Sequence, residues 1–250
     1  MNNGFGYISS DTQFHGEYCD YNVNEVHNVE QYLKAVDNCY RQLCGAEESV
    51  DPQSLQKLWF RGLKSEEYAL LPQIAIKGCV TEEEANLVSE FKVKALPLSY
   101  DSIHGFALLS QPHCASLILM KNRGIATRLL EWYENPLLAL LYAVDIDVNK
   151  DEENNNPVVW CLNPFKLNEK TELNNKDHIP NGYDYKVNEL YGDKASSSIY
   201  PCALYGYSDA TGNGNNRGAY TLFPLNNELQ PLEKLPEHDE FTSKIVISKY

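Results

Sequence analysis

An arginine in the middle of an apolar, strand-like run is the feature that most constrains this chain. The run is Leu58-Trp59-Phe60-Arg61-Gly62-Leu63, and period-two alternation places Arg61 on one face with Trp59 and Leu63. A guanidinium stays charged at any relevant pH, so beside a core it needs a hydrogen-bond acceptor. The acceptor is a structural carboxylate, a pair of backbone carbonyls or the phosphate of a ligand, and this run alone leaves the three open.

The bulk composition predicts an ordinary globular protein with one good core. The chain has 250 residues, of which 43% are hydrophobic, and no run is long and apolar enough to span a membrane. The first residues lack the basic and apolar regions of a signal peptide. The seven cysteines are scattered without a CxxC spacing, which predicts reduced thiols in a cytoplasmic protein. Without an HxxxH or HExxH pattern, we expect no metal site.

The charge narrows the classes of partner. The formal net charge is −14, and the acidic residues are spread along the chain. Such a surface repels a phosphate backbone, so we expect no broad non-specific binding of nucleic acid. A local cationic pocket for a nucleotide is compatible with this charge.

Apolar periodicity and caps predict the helices. Positions stepping by three and four predict a helix from Val26 to about Gly45. Thr81-Glu82-Glu83-Glu84 has the pattern of a capping box. A helical stretch runs from about 101 to 122, with Pro112 kinking or dividing it. Asn135 before Pro136 marks a further helix start, and residues 137–144 are apolar all round, which predicts a central, buried helix.

The second half of the chain is richer in strands. We predict strands at Val158–Leu162, Ile199–Tyr205, Ala219–Leu225 and Lys244–Ser248, and a polar insertion or mobile excursion over 166–195. Helices first and strands later indicate an α+β fold in a single domain. We divide the chain into an N-terminal arm and helix (1–50) and an α+β domain (51–250).

A second segment, Arg123 to Pro136, combines charged and aromatic residues with a helix start. The open amides of that helix, completed by Arg123 or Arg128, are a candidate anion site. In that case Trp132 or Tyr133 could stack on a flat ring. The alternative is structural, with Arg128 and Glu131 as a buried ion pair that fixes a corner and Trp132 in the core.

These segments together resemble the FRG domain family, named for its Phe-Arg-Gly motif. The resemblance rests on Phe60-Arg61-Gly62, on Gly124–Trp132 leading into the Asn135-Pro136 helix, on Val158–Pro164 and on Arg217–Phe223. It covers roughly residues 50–250. Several positions depart from the family pattern, among them Ala126 for its proline, Glu131 for its aspartate and Arg217 for its late glutamine.

The order of these segments also resembles, more remotely, the arginine-type ADP-ribosyltransferases. This resemblance implies an ADP-ribosyltransferase-like fold, with N-terminal helices followed by a split mixed or antiparallel sheet. It implies NAD as the substrate and an NAD-consuming enzyme of a bacterial toxin or phage-conflict system. The protein or nucleic-acid acceptor stays unknown.

The same resemblance implies roles for individual residues. The implied catalytic residues are Arg61, which would hold the NAD pyrophosphate, Thr127, which would orient the ribose, and Glu131 as carboxylate. The implied cofactor-binding residues are Arg61, Gly62, Arg128, Trp132, Tyr133 and Arg217.

One expected residue is missing from the chain. The transferases have a glutamate or glutamine pattern before their late strand, and this chain has Asn215-Asn216-Arg217 there. Glu131 or Glu134 would substitute if the corner turned into the cleft. Three hypotheses therefore stay open: an NAD-consuming transferase, a nucleotide- or partner-binding module without turnover, and a structural domain in which Arg61 pairs with an acid.

Overall fold

The computed structural model describes residues 26–45, 58–76, 80–95, 111–145, 156–173, 178–194, 196–206, 218–226 and 228–248. Over these residues the chain forms seven α-helices, six β-strands and two short 3-10 helices. The helices are α1 (Val29–Cys44), α2 (Gln73–Ile76), α3 (Val80–Ala95), α4 (His113–Asn122), α5 (Pro136–Val144), α6 (Pro164–Glu169) and α7 (Tyr185–Tyr191). The strands are β1 (Trp59–Leu63), β2 (Leu129–Trp132), β3 (Val158–Leu162), β4 (Cys202–Tyr205), β5 (Ala219–Leu222) and β6 (Thr242–Val246), and the 3-10 helices span Leu232–Lys234 and His238–Glu240.

The strands form two three-stranded sheets, in the orders β1-β3-β6 and β2-β5-β4. Every pair of neighbouring strands is antiparallel. The backbones of the two sheets are joined at one bridge, where the backbone groups of Phe60 and Tyr133 exchange two hydrogen bonds of 2.7 and 2.8 Å. The prediction of a single α+β domain is therefore confirmed, and its sheet is divided between β1 and β2.

Helices cover the outer faces of both sheets, and the inner faces meet each other. Helices α1 and α5 pack on the first sheet around Phe60, Val159 and Ile245. The inner faces share a core that includes Trp59, Trp132 and Trp160. Helices α3, α4 and α7 pack on the outer face of the second sheet. The alternation predicted for β1 is confirmed, since Phe60 and Trp59 lie in different cores.

Helix α1 forms where its sequence pattern predicted it. Asn28 accepts a hydrogen bond from the amide of Gln31 at 2.9 Å and so caps the N-terminus. Gly45 ends the helix in the left-handed conformation, with φ of 67°, which glycine adopts without steric cost. Between them the buried face carries Tyr32, whose hydroxyl donates to the carbonyl of Pro136 at 2.7 Å. The hydrogen bond joins α1 to the start of α5.

Helix α5 lies at the surface, so the prediction of a central, buried helix is wrong. It begins as predicted, with Asn135 accepting from the amide of Leu137 at 2.9 Å and proline in the first turn. Only Ala139 and Ala143 among its residues are buried. An apolar sequence on every face carries no information about which face is covered, and here the two alanines decide it by allowing close contact with β1.

Two other local predictions need correction. Thr81 lies inside α3, which spans Val80–Ala95, so it is no N-cap and the capping box is wrong. The predicted break at Pro112 agrees with the start of α4 at His113, while residues 101–110 lie outside the described part. The segment 166–195 is no excursion over its described residues, because it supplies Leu167, Val187 and Tyr191 to the cores. These short helices lack the length to show a clear apolar period.

Two asparagine caps of the same sequence form allow a matched test. Asn135 and Asn163 each precede a proline and cap a helix, but the side-chain amide of the buried Asn163 also donates to the carbonyl of Leu43 at 3.0 Å. We expect Asn135→Ala to lower the free energy of unfolding by about 1 kcal/mol, the usual value of a cap. Asn163→Ala should lower it by about 2–3 kcal/mol because a buried carbonyl also loses its donor. Urea denaturation of both variants checks this, and equal losses would contradict the second role.

Within the described residues, no helix is long and apolar enough to cross a membrane.

Candidate site at the split between the sheets

The divided sheet leaves a gap in the hydrogen-bond ladder beside Arg61, where β1 and β2 no longer pair. In an antiparallel ladder the hydrogen-bonded pair after Phe60 and Tyr133 would be Gly62 with Glu131. No such pair forms between β1 and β2, because the strands diverge there. The carbonyl of Glu131 would then lack its ladder donor. Instead, Arg61 Nη1 donates to the Glu131 carbonyl oxygen at 2.6 Å.

This hydrogen bond identifies one acceptor of Arg61 among those that the sequence left open. The acceptor for Arg61 is a backbone carbonyl, and among the described residues no carboxylate forms a salt bridge with this guanidinium. Arg61 is only partly buried. A guanidinium has five N–H groups, and within the described part the Glu131 carbonyl is the hydrogen-bond acceptor for one. No other hydrogen-bond acceptor for this guanidinium is found among the described residues.

Electrostatics at Arg61 are set by burial and by two neighbours. Burial lowers the pKa of Arg61, while the nearby Tyr133 and Glu131 side chains raise it. A guanidinium stays protonated under this opposing influence because its ordinary pKa is so high. The site therefore holds a fixed, partly desolvated positive charge, which attracts a negative group more strongly than a fully hydrated one would.

The Glu131 carboxylate lies beside a second cation. Burial lowers the pKa of Lys121, the charge of Glu131 raises it and that of Arg61 lowers it. Tyr220 faces Glu131 across the β2–β5 pair, and burial together with this carboxylate raises its pKa to about 12. The Tyr220 hydroxyl donates to Asn122 Oδ1 at 2.8 Å. Glu131 is thus a half-buried acid among cationic and phenolic groups.

A pair of stacked tyrosines lies at the start of the gap. The rings of Tyr133 and Tyr142 are 4.9 Å apart between centroids and nearly parallel at 9°. Burial raises the pKa of Tyr133, and Glu131 and the hydrogen bond to Tyr142 raise it further. The Tyr133 phenol therefore stays neutral at physiological pH. Tyr133 is partly exposed and Tyr142 exposes 47% of its surface, so this aromatic face is open to a ring.

Gly62 allows the backbone of α5 to lie directly against β1. A Cβ atom at this position would lie 1.9 Å from the Ala139 carbonyl oxygen and 2.7 Å from the Ala143 amide nitrogen. These distances show that α5 rests directly on the backbone of β1. Gly62 thus seats the helix whose Tyr142 stacks on Tyr133, and it acts on the site through packing.

Two of the predicted site residues are closed off from the gap. Thr127 is 1% exposed, and its hydroxyl accepts from the amide of Leu129 at 3.4 Å. Trp132 is also 1% exposed, and its indole N–H donates to Thr221 Oγ1 at 3.0 Å in the core between the sheets. The arrangement gives neither side chain a surface for a ribose or a ring.

Arg128 belongs to a buried network that sequence reasoning did not find. Its Nε donates to Glu84 Oε1 at 2.7 Å, and its other donors bond to the carbonyls of Phe223, Tyr191 and Gly192. The alternative in which Arg128 forms a buried structural ion pair therefore agrees with the structure, but its partner is Glu84 and not Glu131. Glu84 lies 44 residues away on α3, and nothing in its local pattern marks it as a partner.

The remaining predicted positions lie apart from this cluster. Arg217 is outside the described residues. Glu134 is exposed, and it accepts from the Tyr205 hydroxyl at 2.6 Å. In the part of the chain that the structure describes, no group of three or more His, Cys, Asp or Glu side chains could hold a metal ion. A cavity of about 210 Å³ follows the end of β5 between Phe223 and Leu235, and Arg61, Glu131 and Tyr133 do not line it.

Comparison with known families identifies the segment that carries this geometry. Residues 56–153 match the family model described as the FRG domain. The matched segment contains β1, β2 and α5, and with them Arg61, Gly62, Glu131, Tyr133 and Tyr142. No curated protein and no solved structure matches the chain.

Proposed function

Because the chain carries an FRG domain over residues 56–153, we propose that this domain binds NAD at the split between its sheets and transfers ADP-ribose. The single observation that carries the proposal is the guanidinium of Arg61, which holds the Glu131 carbonyl with Nη1 and has no other acceptor among the described residues. A pyrophosphate is the anion that suits a planar fork of N–H donors.

The neighbours of Arg61 support a dinucleotide in particular. The partly exposed Tyr133, which stacks on Tyr142 and lies near enough to Arg61 to influence its charge, offers a surface for a flat ring. The half-buried Glu131 supplies a carboxylate that can steady a positively charged ribose as nicotinamide departs. In the transfer, the bond between the ribose C1′ and the nicotinamide nitrogen breaks, nicotinamide keeps the bonding electrons, and an acceptor nucleophile forms the new bond to C1′. The setting proposed for this activity is a bacterial toxin or phage-conflict system in the cytoplasm.

A second candidate is a module that binds a nucleotide without turnover. It is favoured by the burial of Thr127 and Trp132, since the ribose and ring contacts that the transferase resemblance assigns to them are closed. It is also favoured by the chain sequence before Gly218, which lacks the expected late carboxylate. The same Arg61 donors serve both candidates, so activity and binding have to be measured separately.

The test compares two variants in both assays. We expect Arg61→Ala to abolish both the thermal stabilisation by NAD and the release of nicotinamide. At 100 times its dissociation constant a ligand stabilises by about 2.7 kcal/mol, which is easily measured. Glu131→Gln retains the backbone carbonyl that holds Arg61, so it should bind NAD normally and lose activity by about 100-fold or more.

The two assays separate the candidates. Stabilisation by NAD without nicotinamide release, lost in Arg61→Ala, would support the binding module and sink the transferase. Removing the Arg61 side chain also leaves the Glu131 carbonyl unpaired, at about 1–3 kcal/mol. Circular dichroism must therefore show that the variant is folded. If NAD neither stabilises the intact protein nor is consumed by it in the presence of cell extract, both candidates are wrong.

A further inference from the structure

Helix α5 presents a large apolar face to solvent. Five of its nine residues are big hydrophobic side chains with 37–58% of their surface exposed, and α1 adds two more within one turn of Tyr32, which contacts the start of α5. These seven residues are Val29, Leu33, Leu137, Leu138, Leu141, Tyr142 and Val144. We refer to them as the α5 face.

The size of the α5 face is that of an interaction surface. From the exposed fractions, these seven residues together leave about 600 Å² uncovered, which is comparable to the largest apolar patch on a typical monomer. Two such faces in contact would bury about 1,200 Å² in total, which is the lower limit for a specific interface. A second copy of the chain would thus supply enough apolar surface to form a specific interface with the α5 face.

Charge points to the same occupant. Helix α5 has no charged residue between Pro136 and Val144, and the described charged residues next to it, Glu134 and Asp145, lie beyond its two ends. The whole chain carries −14, so two copies repel each other overall, but contact through the uncharged α5 face adds no close pair of like charges. An apolar centre with charges at the rim is the usual anatomy of a dimer interface.

A membrane surface fits the α5 face less well. Helices that lie on membranes have lysine or arginine along the polar side, which binds anionic headgroups. Helix α5 has neither, and the net charge of the chain opposes an anionic surface.

We propose that the α5 face is a self-association surface, through which two copies pair by a two-fold axis with their α5 helices antiparallel. Leu141, exposed by 58%, is the most exposed residue of α5 and lies in the contact. In this arrangement Asp145 at the end of one α5 comes close to the N-terminus of the other, where a negative charge is favourable. Tyr142 joins the contact to the site, because its ring stacks on Tyr133.

The experiment measures the dissociation constant of the dimer by sedimentation velocity over a dilution series. We expect the intact chain to dimerise and Leu141→Lys to raise the dissociation constant by at least about tenfold, because each copy then buries a lysine. Ile199→Lys is the matched control, since Ile199 is exposed by 56% outside the α5 face, and it should dimerise like the intact chain. Leu137→Lys gives a second probe of the same face.

Each outcome decides the proposal. Loss of the dimer in both α5 variants, with the control unchanged and all three folded by circular dichroism, supports it. An intact chain that stays monomeric throughout the series overturns it, including the case in which that monomer binds anionic lipid vesicles. A dimer that neither α5 variant weakens also overturns it, because the interface would then lie elsewhere.

Discussion

Gly62→Ala should lower the free energy of unfolding by about 3 kcal/mol or more. The added Cβ would lie 1.9 Å from the Ala139 carbonyl oxygen and 2.7 Å from the Ala143 amide nitrogen. Both atoms belong to the backbone of α5, so no side-chain rotation relieves the overlap and the helix itself has to shift. Overpacking that moves backbone costs about 1–3 kcal/mol or more, and this contact is at the severe end. Urea denaturation measures the loss.

Gly124→Ala is the matched control for the same change of residue. Gly124 has φ of 75°, and a Cβ there would meet nothing within 4 Å. Gly124→Ala should therefore lower the free energy of unfolding only through the strain of an alanine in the left-handed conformation, about 1–2 kcal/mol. Gly62 is not among the described glycines with positive φ, so its cost is packing alone. If Gly62→Ala proved no more destabilising than Gly124→Ala, the close seating of α5 on β1 would be contradicted.

The same contact explains why Arg61 and Gly62 are neighbours in the sequence. On one face of β1, Gly62 admits α5, and α5 brings Tyr142 against Tyr133. On the other face, Arg61 holds the carbonyl that the divergence of β1 and β2 leaves without a ladder partner. The Phe-Arg-Gly tripeptide thus places a core aromatic, a gap-filling cation and a helix seat at the point where the sheets separate. A change in α5 is therefore expected to reach the site through Tyr142.

Local signals predicted the elements that they encode directly. The apolar period and Gly45 were sufficient for α1, and asparagine followed by proline was sufficient for the start of α5. Alternation correctly separated the two faces of β1. These features depend on interactions between residues that are close in the chain, so a single sequence is sufficient to predict them.

Long-range contacts explain what the sequence could not predict. An apolar helix reads the same whether buried or exposed, so the surface position of α5 follows only from how Ala139 and Ala143 meet Gly62. The acceptor of Arg61 is a carbonyl because two strands diverge, and divergence leaves no residue pattern. Arg128 was correctly suspected of a structural ion pair, but its partner Glu84 is on a helix whose acidic start resembled a capping box.

Arg128→Met should be the most destabilising substitution of a charged residue in the described part of the chain, at about 3–5 kcal/mol. Arg128 is 0% exposed and Glu84 is 1% exposed, so the substitution leaves a buried carboxylate without its guanidinium. The carbonyls of Phe223, Tyr191 and Gly192 lose their donor as well. Adding Glu84→Leu to Arg128→Met removes the stranded charge and should recover part of the loss, but the carbonyls stay unpaired. Urea denaturation of the single and double variants measures the recovery, and its absence would show that the ion pair is unimportant.

The pH dependence of this loss tests the electrostatic cause. In the intact protein burial raises the pKa of Glu84, but the hydrogen bond to His113 and the charge of Arg128 lower it more, so the net pKa lies below its ordinary value of 4.5. Ionised Glu84 therefore stabilises the native state above about pH 4.5, and this stability is lost as pH falls through the folded pKa. Without Arg128, the pKa of Glu84 loses one of its lowering causes and rises relative to the intact protein, so ionised Glu84 stabilises the variant less. The loss caused by Arg128→Met should consequently be largest near neutral pH and smaller near pH 4. An equal loss at both pH values would mean that Arg128 stabilises the fold through its carbonyl contacts rather than through Glu84.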